Sequence, residues 1–172
     1  MNTLALPNGE TWPALGLGTS KMGESSATRS AEIAAVRCAI EIGYRVIDTA
    51  EMYGDGGAET VVGQAVAGAL RAGAVSREQL FTRSKVVPHN ASRAGTRAAC
   101  ERSLERLGLD HIDLYLLHWP GPHPLRDTVA RFEALQAKGR IRRWGAGNFD
   151  LDDMQTLAQA PGGDRCAANQ LY

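Results

Sequence analysis

The chain reads as an α/β protein: an incomplete (β/α)8 TIM barrel of about six βα units, preceded by an N-terminal β-hairpin. Three observations predict this. Short apolar runs of strand length alternate with stretches of helical spacing from residue 14 to residue 170. The strand-like runs finish in polar side chains: Asp48 after Val46-Ile47, Lys85 after Leu80-Phe81, and His118 after Leu114-Tyr115-Leu116-Leu117, with Tyr53 a few residues past Asp48. The phosphate loop of a doubly wound nucleotide fold is missing, since neither Gly16-Leu17-Gly18-Thr19-Ser20-Lys21 nor Gly54-Asp55-Gly56-Gly57-Ala58-Glu59 satisfies GxGxxG, and there is no Walker loop. A strand that ends in a reactive side chain, followed by a loop and a helix, is how a barrel of this class assembles a site.

Residues 2–13 form the hairpin, with Asn8-Gly9 as a two-residue turn between Leu4-Ala5-Leu6 and Thr11-Trp12. Ala14–Leu17 is a short strand ending at Gly18. Ile33, Val36 and Ile40 fall at helical spacing, and Gly43 closes that helix. Arg45–Asp48 is a strand. Val62, Ala65, Val66, Ala69 and Leu70 stripe a second helix that ends near Gly73. Ser76-x-x-Gln79 is a capping-box pattern before the strand Leu80–Lys85. Cys100, Ser103, Leu104 and Leu107 mark a third helix with Gly108 beyond it, and Ile112–Leu117 is the next strand. Val129, Phe132, Leu135 and Gln136 give a fourth helix ended by Gly139, and Ile141–Trp144 follows as a strand. Asp150 is placed to cap the helix Leu151–Ala160, and Cys166–Gln170 is the sixth strand of the alternation. Such alternation implies a parallel sheet with right-handed crossovers.

A closed barrel needs eight strands. Six are legible in 172 residues, so the expectation is a single domain over 1–172 that lacks its last quarter. Its open sheet edges are sites for possible self-association.

Acidic and basic residues balance at 19 each, which gives no electrostatic reason to expect a nucleic-acid or membrane partner. Cys38, Cys100 and Cys166 are odd in number, far apart and without ligand spacing, so neither a disulfide framework nor a metal site is expected. The N-terminus lacks the basic and long apolar parts of a signal peptide, and no apolar stretch approaches the roughly 20 residues that span a bilayer. A reduced, cytoplasmic protein is expected.

The sequence resembles the aldo-keto reductase family. Gly43-Tyr44-Arg45-Val46-Ile47-Asp48-Thr49-Ala50-Glu51-Met52-Tyr53-Gly54 is similar to the family's Asp-Thr-Ala-x-x-Tyr signature, and Glu59-Thr60-Val61-Val62-Gly63 continues it. Three more blocks follow in order: Phe81-Thr82-Arg83-Ser84-Lys85, Asp113-Leu114-Tyr115-Leu116-Leu117-His118-Trp119-Pro120, and Trp144-Gly145-Ala146-Gly147-Asn148-Phe149. Pro13–Thr19 matches the first strand. Within the family the chain is most similar to bacterial enzymes that reduce small aldehydes such as methylglyoxal.

The resemblance implies a catalytic tetrad of Asp48, Tyr53, Lys85 and His118, a small carbonyl substrate and NADPH as cofactor. A free phenol has a pKa near 10. An ammonium beside it favours the phenolate. Lys85 is expected to be that cation, held by Asp48, with His118 orienting the carbonyl oxygen. Tyr53 is then the general acid of reduction. Gly18, Thr19, Asp48, Asn148 and Gln170 are the implied cofactor contacts, and Ser20, Tyr53, His89, His118 and Trp119 the substrate contacts. The aromatic that stacks on nicotinamide and the basic cluster for the 2′-phosphate lie, by resemblance, after strands that this chain does not contain.

The competing reading is a catalytically inactive truncated fragment, or a non-catalytic binding subunit of the same fold. A metal-dependent hydrolase is disfavoured, because no strand ends in His-x-His or paired metal-ligand carboxylates.

Three residues depart from the family pattern. Ser20 stands where an aromatic is usual, and Gly147 stands where a serine is. Arg83 lies two residues before Lys85, on the same strand face, where the family has a small or apolar residue. A buried unpaired guanidinium costs several kcal/mol. Arg83 is therefore expected to be paired or solvated.

Overall fold

The structure, a computed structural model, describes residues 3–6 and 9–172. The hairpin forms from β1 (Thr3–Ala5) and β2 (Thr11–Pro13), paired antiparallel with Ala5 opposite Thr11. Its turn differs from the expected one. Gly9 N–H donates to Leu6 O at 2.9 Å, and Leu6 N–H donates to Glu10 O at 2.7 Å. Gly9, at φ +85°, therefore closes the turn instead of sitting at its centre. Asn2, Pro7 and Asn8 of that expectation lie outside the described residues.

The alternation follows in the expected order. It runs β3 (Gly16–Gly18), α1 (Arg29–Glu41), β4 (Val46–Asp48), α2 (Gly57–Arg71), β5 (Phe81–Val86), α3 (Gly95–Leu107), β6 (Ile112–Leu117), α4 (Leu125–Ala137), β7 (Ile141–Gly147), α5 (Leu151–Gln159) and β8 (Asn169–Gln170). The six strands β3 to β8 neighbour one another in chain order within one sheet. That order, with a helix after every strand from β3 to β7, is the topology of a (β/α) barrel, of which eight strands make the closed form.

The chain forms two compact units, Met1–Arg83 with Arg106–Gly108, and Ser84–Glu105 with Leu109–Tyr172. The boundary falls within β5.

In the first unit, β4 pairs parallel with β3 and with the first half of β5, so Asp48 stands opposite both Gly18 and Arg83. Val36 and Ile40 of α1, Val46 and Ile47 of β4, and Val61, Val62, Ala65 and Val66 of α2 are buried. α2 begins against the loop after β3. A Cβ on Gly57 would lie 2.2 Å from Gly23 O, so that approach admits only glycine.

In the second unit every residue of β6 is buried, which explains its apolar run Leu114–Leu117, while the buried Asp113 is paired with His111 and Arg142. β6 pairs parallel with β7, and β7 with β8. Phe132 of α4 stacks on Trp144 of β7 at 5.6 Å and meets Tyr115 of β6 edge-on at 5.8 Å. Trp144 Nε1–H donates to Glu133 at 2.6 Å, which satisfies the indole of an otherwise apolar cluster.

Strand boundaries shift by one or two residues at β3 (Gly16–Gly18), β4 (Val46–Asp48) and β5 (Phe81–Val86), and by more at β7 and β8. β7 continues three residues past the predicted end at Trp144, to Gly147, and β8 is confined to Asn169–Gln170. Bonds from Ala167 N to Trp144 O and from Ala146 N to Ala168 O precede β8, so the chain is held to β7 before the regular strand starts.

Candidate active site

Three residues of the predicted tetrad stand at the C-terminal ends of successive strands, and Tyr53 lies in the loop after the first of these. Asp48 is the last residue of β4, Lys85 the penultimate residue of β5, and His118 the first after β6. Tyr53 opens a short 3-10 turn, Tyr53–Gly56, in the loop after β4. The two units hold different members.

The first unit holds Gly18, Thr19, Ser20, Asp48, Tyr53 and Arg83. Thr19 is buried and donates twice to the carbonyl of Asp48, through its backbone N–H and its Oγ1–H, both at 3.0 Å. That double bond fixes the end of β3 against the end of β4. Thr49 N–H donates to Arg83 O at 3.0 Å, which fixes β4 against β5. The chain then turns at once, with Tyr53 N–H donating to Ala50 O at 3.1 Å, and brings the phenol back toward Asp48. The turn is tight enough to need Gly54 at φ +56°. A Cβ there would lie 2.7 Å from the Gly23 carbonyl carbon.

Asp48 is 8% exposed and Tyr53 half-buried. Arg83 Nε lies 3.3 Å from Asp48 Oδ1, so the guanidinium is paired, as expected of a cation in that position. The Tyr53 phenol is pushed above its ordinary value, first by burial and then by the negative charge of Asp48, while the charge of Arg83 opposes the rise. The net direction is upward, against the lowering expected from Lys85, because removing a phenolate from water is the largest effect. Ser20 is exposed.

The second unit holds Lys85, His89, His118, Trp119, Asn148 and Gln170. Lys85 is only 3% exposed and His118 8%, so neither is a solvated surface charge. His118 N–H donates to Val86 O at 2.9 Å, and its ring lies 4.7 Å from that of Trp119, which keeps an exposed face. Asn148 Nδ2–H donates to His118 O at 3.1 Å, Asn148 N–H donates to Gln170 O at 2.9 Å, and Asn148 Oδ1 accepts from Tyr172 N–H at 3.0 Å. Asn148 also sits at φ +56°, a sparsely populated conformation for a residue with a side chain. Gly147 has a reason to be glycine, because a Cβ there would lie 2.6 Å from His118 O. His89 is exposed, in the short turn Pro88–Asn90.

An amide has two N–H donors and two acceptor lone pairs. Asn148 commits one donor and one lone pair to the bonds above, and so retains both functions for a further amide. Its donor set fits a carboxamide such as that of nicotinamide.

One charged residue was misread. The spacing of Arg97, Glu101, Arg102, Glu105 and Arg106 predicts a solvated helix face with i,i+4 pairing. Arg97 and Glu101 do pair at 3.8 Å, but Arg106 instead grips Glu59 of α2 through Nε at 2.7 Å and Nη2 at 2.6 Å. Among the described residues, no group of three His, Cys, Asp or Glu is arranged to hold a metal, and no helix is long and apolar enough to cross a membrane.

The sequence profile of the aldo/keto reductase family matches residues 14–172. The chain is 53% identical over 159 residues to the methylglyoxal reductase YeaE of Escherichia coli K12, a match covering 92% of this chain and 54% of that protein. It is 41% identical over 157 residues to a glyoxal reductase of Bacillus subtilis, covering 91% and 52%. A crystal structure of an aldo/keto reductase from Klebsiella pneumoniae, in complex with NADP and acetate, superposes with a TM-score of 0.89 at 50% identity, covering 99% of this chain and 58% of that one. The chain thus spans about half the length of the curated relatives it matches.

Proposed function

The chain belongs to the aldo/keto reductase family, and on that footing we propose that it carries the catalytic half of an NADPH-dependent reductase of small aldehydes or ketones. Tyr53 is the general acid, with Asp48, Lys85 and His118 completing the set. The observation that carries the reading is the Tyr53–Asp48 corner. Asp48 closes β4 almost fully buried, and Tyr53 stands half-buried in the loop that follows, near enough for the carboxylate's charge to act on the phenol; a cation beside that phenol is what would make it a better proton donor. The buried Lys85 and His118, each at a strand end, support it.

Asn148 and Gln170 would hold the nicotinamide carboxamide, and Gly18, Thr19 and Asp48 the adjoining part of the cofactor. NADPH, when bound, supplies the hydride, which no side chain can. The protein's share is to orient the carbonyl through His118, to keep Lys85 charged near Asp48, and to deliver the Tyr53 proton to the carbonyl oxygen. The relatives named for methylglyoxal and glyoxal reduction point to small dicarbonyls as substrates.

The sign of the pH dependence follows from the direction of the Tyr53 shift. A phenol pushed upward stays protonated across the neutral range, so reduction stays level there and falls only on the alkaline side. Fluorescence titration with NADPH, then loss of NADPH absorbance on adding methylglyoxal, tests the reading. Binding and turnover are expected, with turnover lowered about 10²- to 10⁴-fold in Tyr53→Phe, the usual weight of one general acid. No quenching at millimolar NADPH, or unchanged turnover in Tyr53→Phe, would overturn it.

A further inference from the structure

Arg83 is the residue the family pattern does not account for. It shares a face of β5 with Lys85 by strand alternation. Its side chain is about a quarter exposed, and on Asp48 it engages Oδ1. It also borders a cavity of about 140 Å³, whose lining includes Leu4, Leu6, Trp12 and Phe81. Arg83 thus stands between the Asp48 carboxylate and that cavity. Replacing Arg83 alone by an apolar side chain would take this cation away from a nearly buried carboxylate, so the pair acts as a unit.

We propose that Arg83 is a positioning residue of the proton-donating corner, a second cation on Asp48 that fixes the carboxylate and offsets its charge toward Tyr53. This rests on the reading of Tyr53 as the proton donor. The charged groups around that phenol within its unit are Asp48 at the end of β4 and Arg83 on β5. Glu51 lies buried two residues before it in the loop. Lys85 on β5 and His118 after β6 are the groups that the resemblance adds. Burial is the largest push on the phenol, the carboxylate adds to it and the guanidinium pulls it back, so Arg83 limits how far Tyr53 is moved from its ordinary value.

The test titrates Tyr53 directly. Chains carrying ¹³Cζ-tyrosine are followed by NMR through the alkaline range in which the far-UV dichroism is retained, and the Tyr53 resonance is assigned by its loss in Tyr53→Phe. In Arg83→Gln the ionisation constant of Tyr53 is expected to fall about threefold or more, the direction that follows from losing a nearby cation. Arg83→Lys is expected to restore most of it. A Tyr53 ionisation in Arg83→Gln that coincides with the parent's would overturn the proposal. So would an Arg83→Gln chain that fails to fold while Arg83→Lys folds and titrates as the parent does, since the pair would then be structural. Turnover of methylglyoxal is measured in parallel. No turnover with the titration difference present removes the reductase reading alone, and turnover with no titration difference removes the Arg83 proposal alone.

Discussion

Glu59 is fully enclosed, at 0% exposure, and its carboxylate takes two N–H groups of Arg106 at 2.6 and 2.7 Å. Truncating one member of such a pair strands the other in a low-dielectric site, whereas an exposed i,i+4 pair contributes little. Arg106→Ala, which takes the guanidinium from the enclosed Glu59, is therefore expected to lower the unfolding free energy by about 3 kcal/mol in urea denaturation, and Arg97→Ala, whose partner Glu101 is 3.8 Å away on the surface, by less than about 0.5 kcal/mol. Comparable losses would show that the Glu59 pair is not the structural tie described here. The contrast also marks what the sequence conceals at this scale. Helical spacing identifies neighbours three and four residues apart, so it finds Arg97 with Glu101. It carries no signal for a partner 47 residues away, so Arg106 passed as a solvated charge. Arg83 was legible for the opposite reason, because strand alternation forces it to the face of Lys85, and a cation forced inward must find an anion.

Asp150 shows how far local chemistry specifies an element. Its carboxylate accepts from Asp153 N–H at 2.8 Å while Asp153 returns a bond to Asp150 N–H at 3.2 Å, the reciprocal box that starts α5. The helix has nine residues and one buried side chain, Leu157, so packing contributes little and the cap matters more. Asp150→Ala is expected to cost about 1 kcal/mol in thermal unfolding, and Asp150→Ser to recover most of it. A melting temperature unchanged in Asp150→Ala would mean that α5 is held by other contacts. Ser76 and Gln79 were equally legible, with Ser76 N–H donating to Gln79 Oε1 at 2.9 Å. The end of β7 was not. Gly145 and Gly147 read as a strand terminus, yet they are glycines because backbone passes close by. A Cβ at Gly145 would lie 2.4 Å from Ala168 O, and one at Gly147 2.6 Å from His118 O. The strand runs on through them, and only the folded sheet reveals why.

At the scale of the molecule, the alternation of periods predicted the strand order, and β3 to β8 do lie in sequence. Burial is distributed unevenly along that order. All six residues of β6 are buried and its bonds to β7 run from Ile112 opposite Ile141 to Leu117 opposite Ala146. β1 is exposed at every residue and pairs only with β2, itself partly exposed. Amides in a buried ladder exchange only through extensive unfolding, whereas those of an exposed two-stranded ribbon exchange by local opening. Hydrogen–deuterium exchange read by mass spectrometry is therefore expected to leave peptides over 112–117 protected for the longest times, and to label 3–6 and 9–13 within the earliest time points. Protection of the hairpin equal to that of β6 would contradict this. It would mean that the ribbon is held by more than its own pairing.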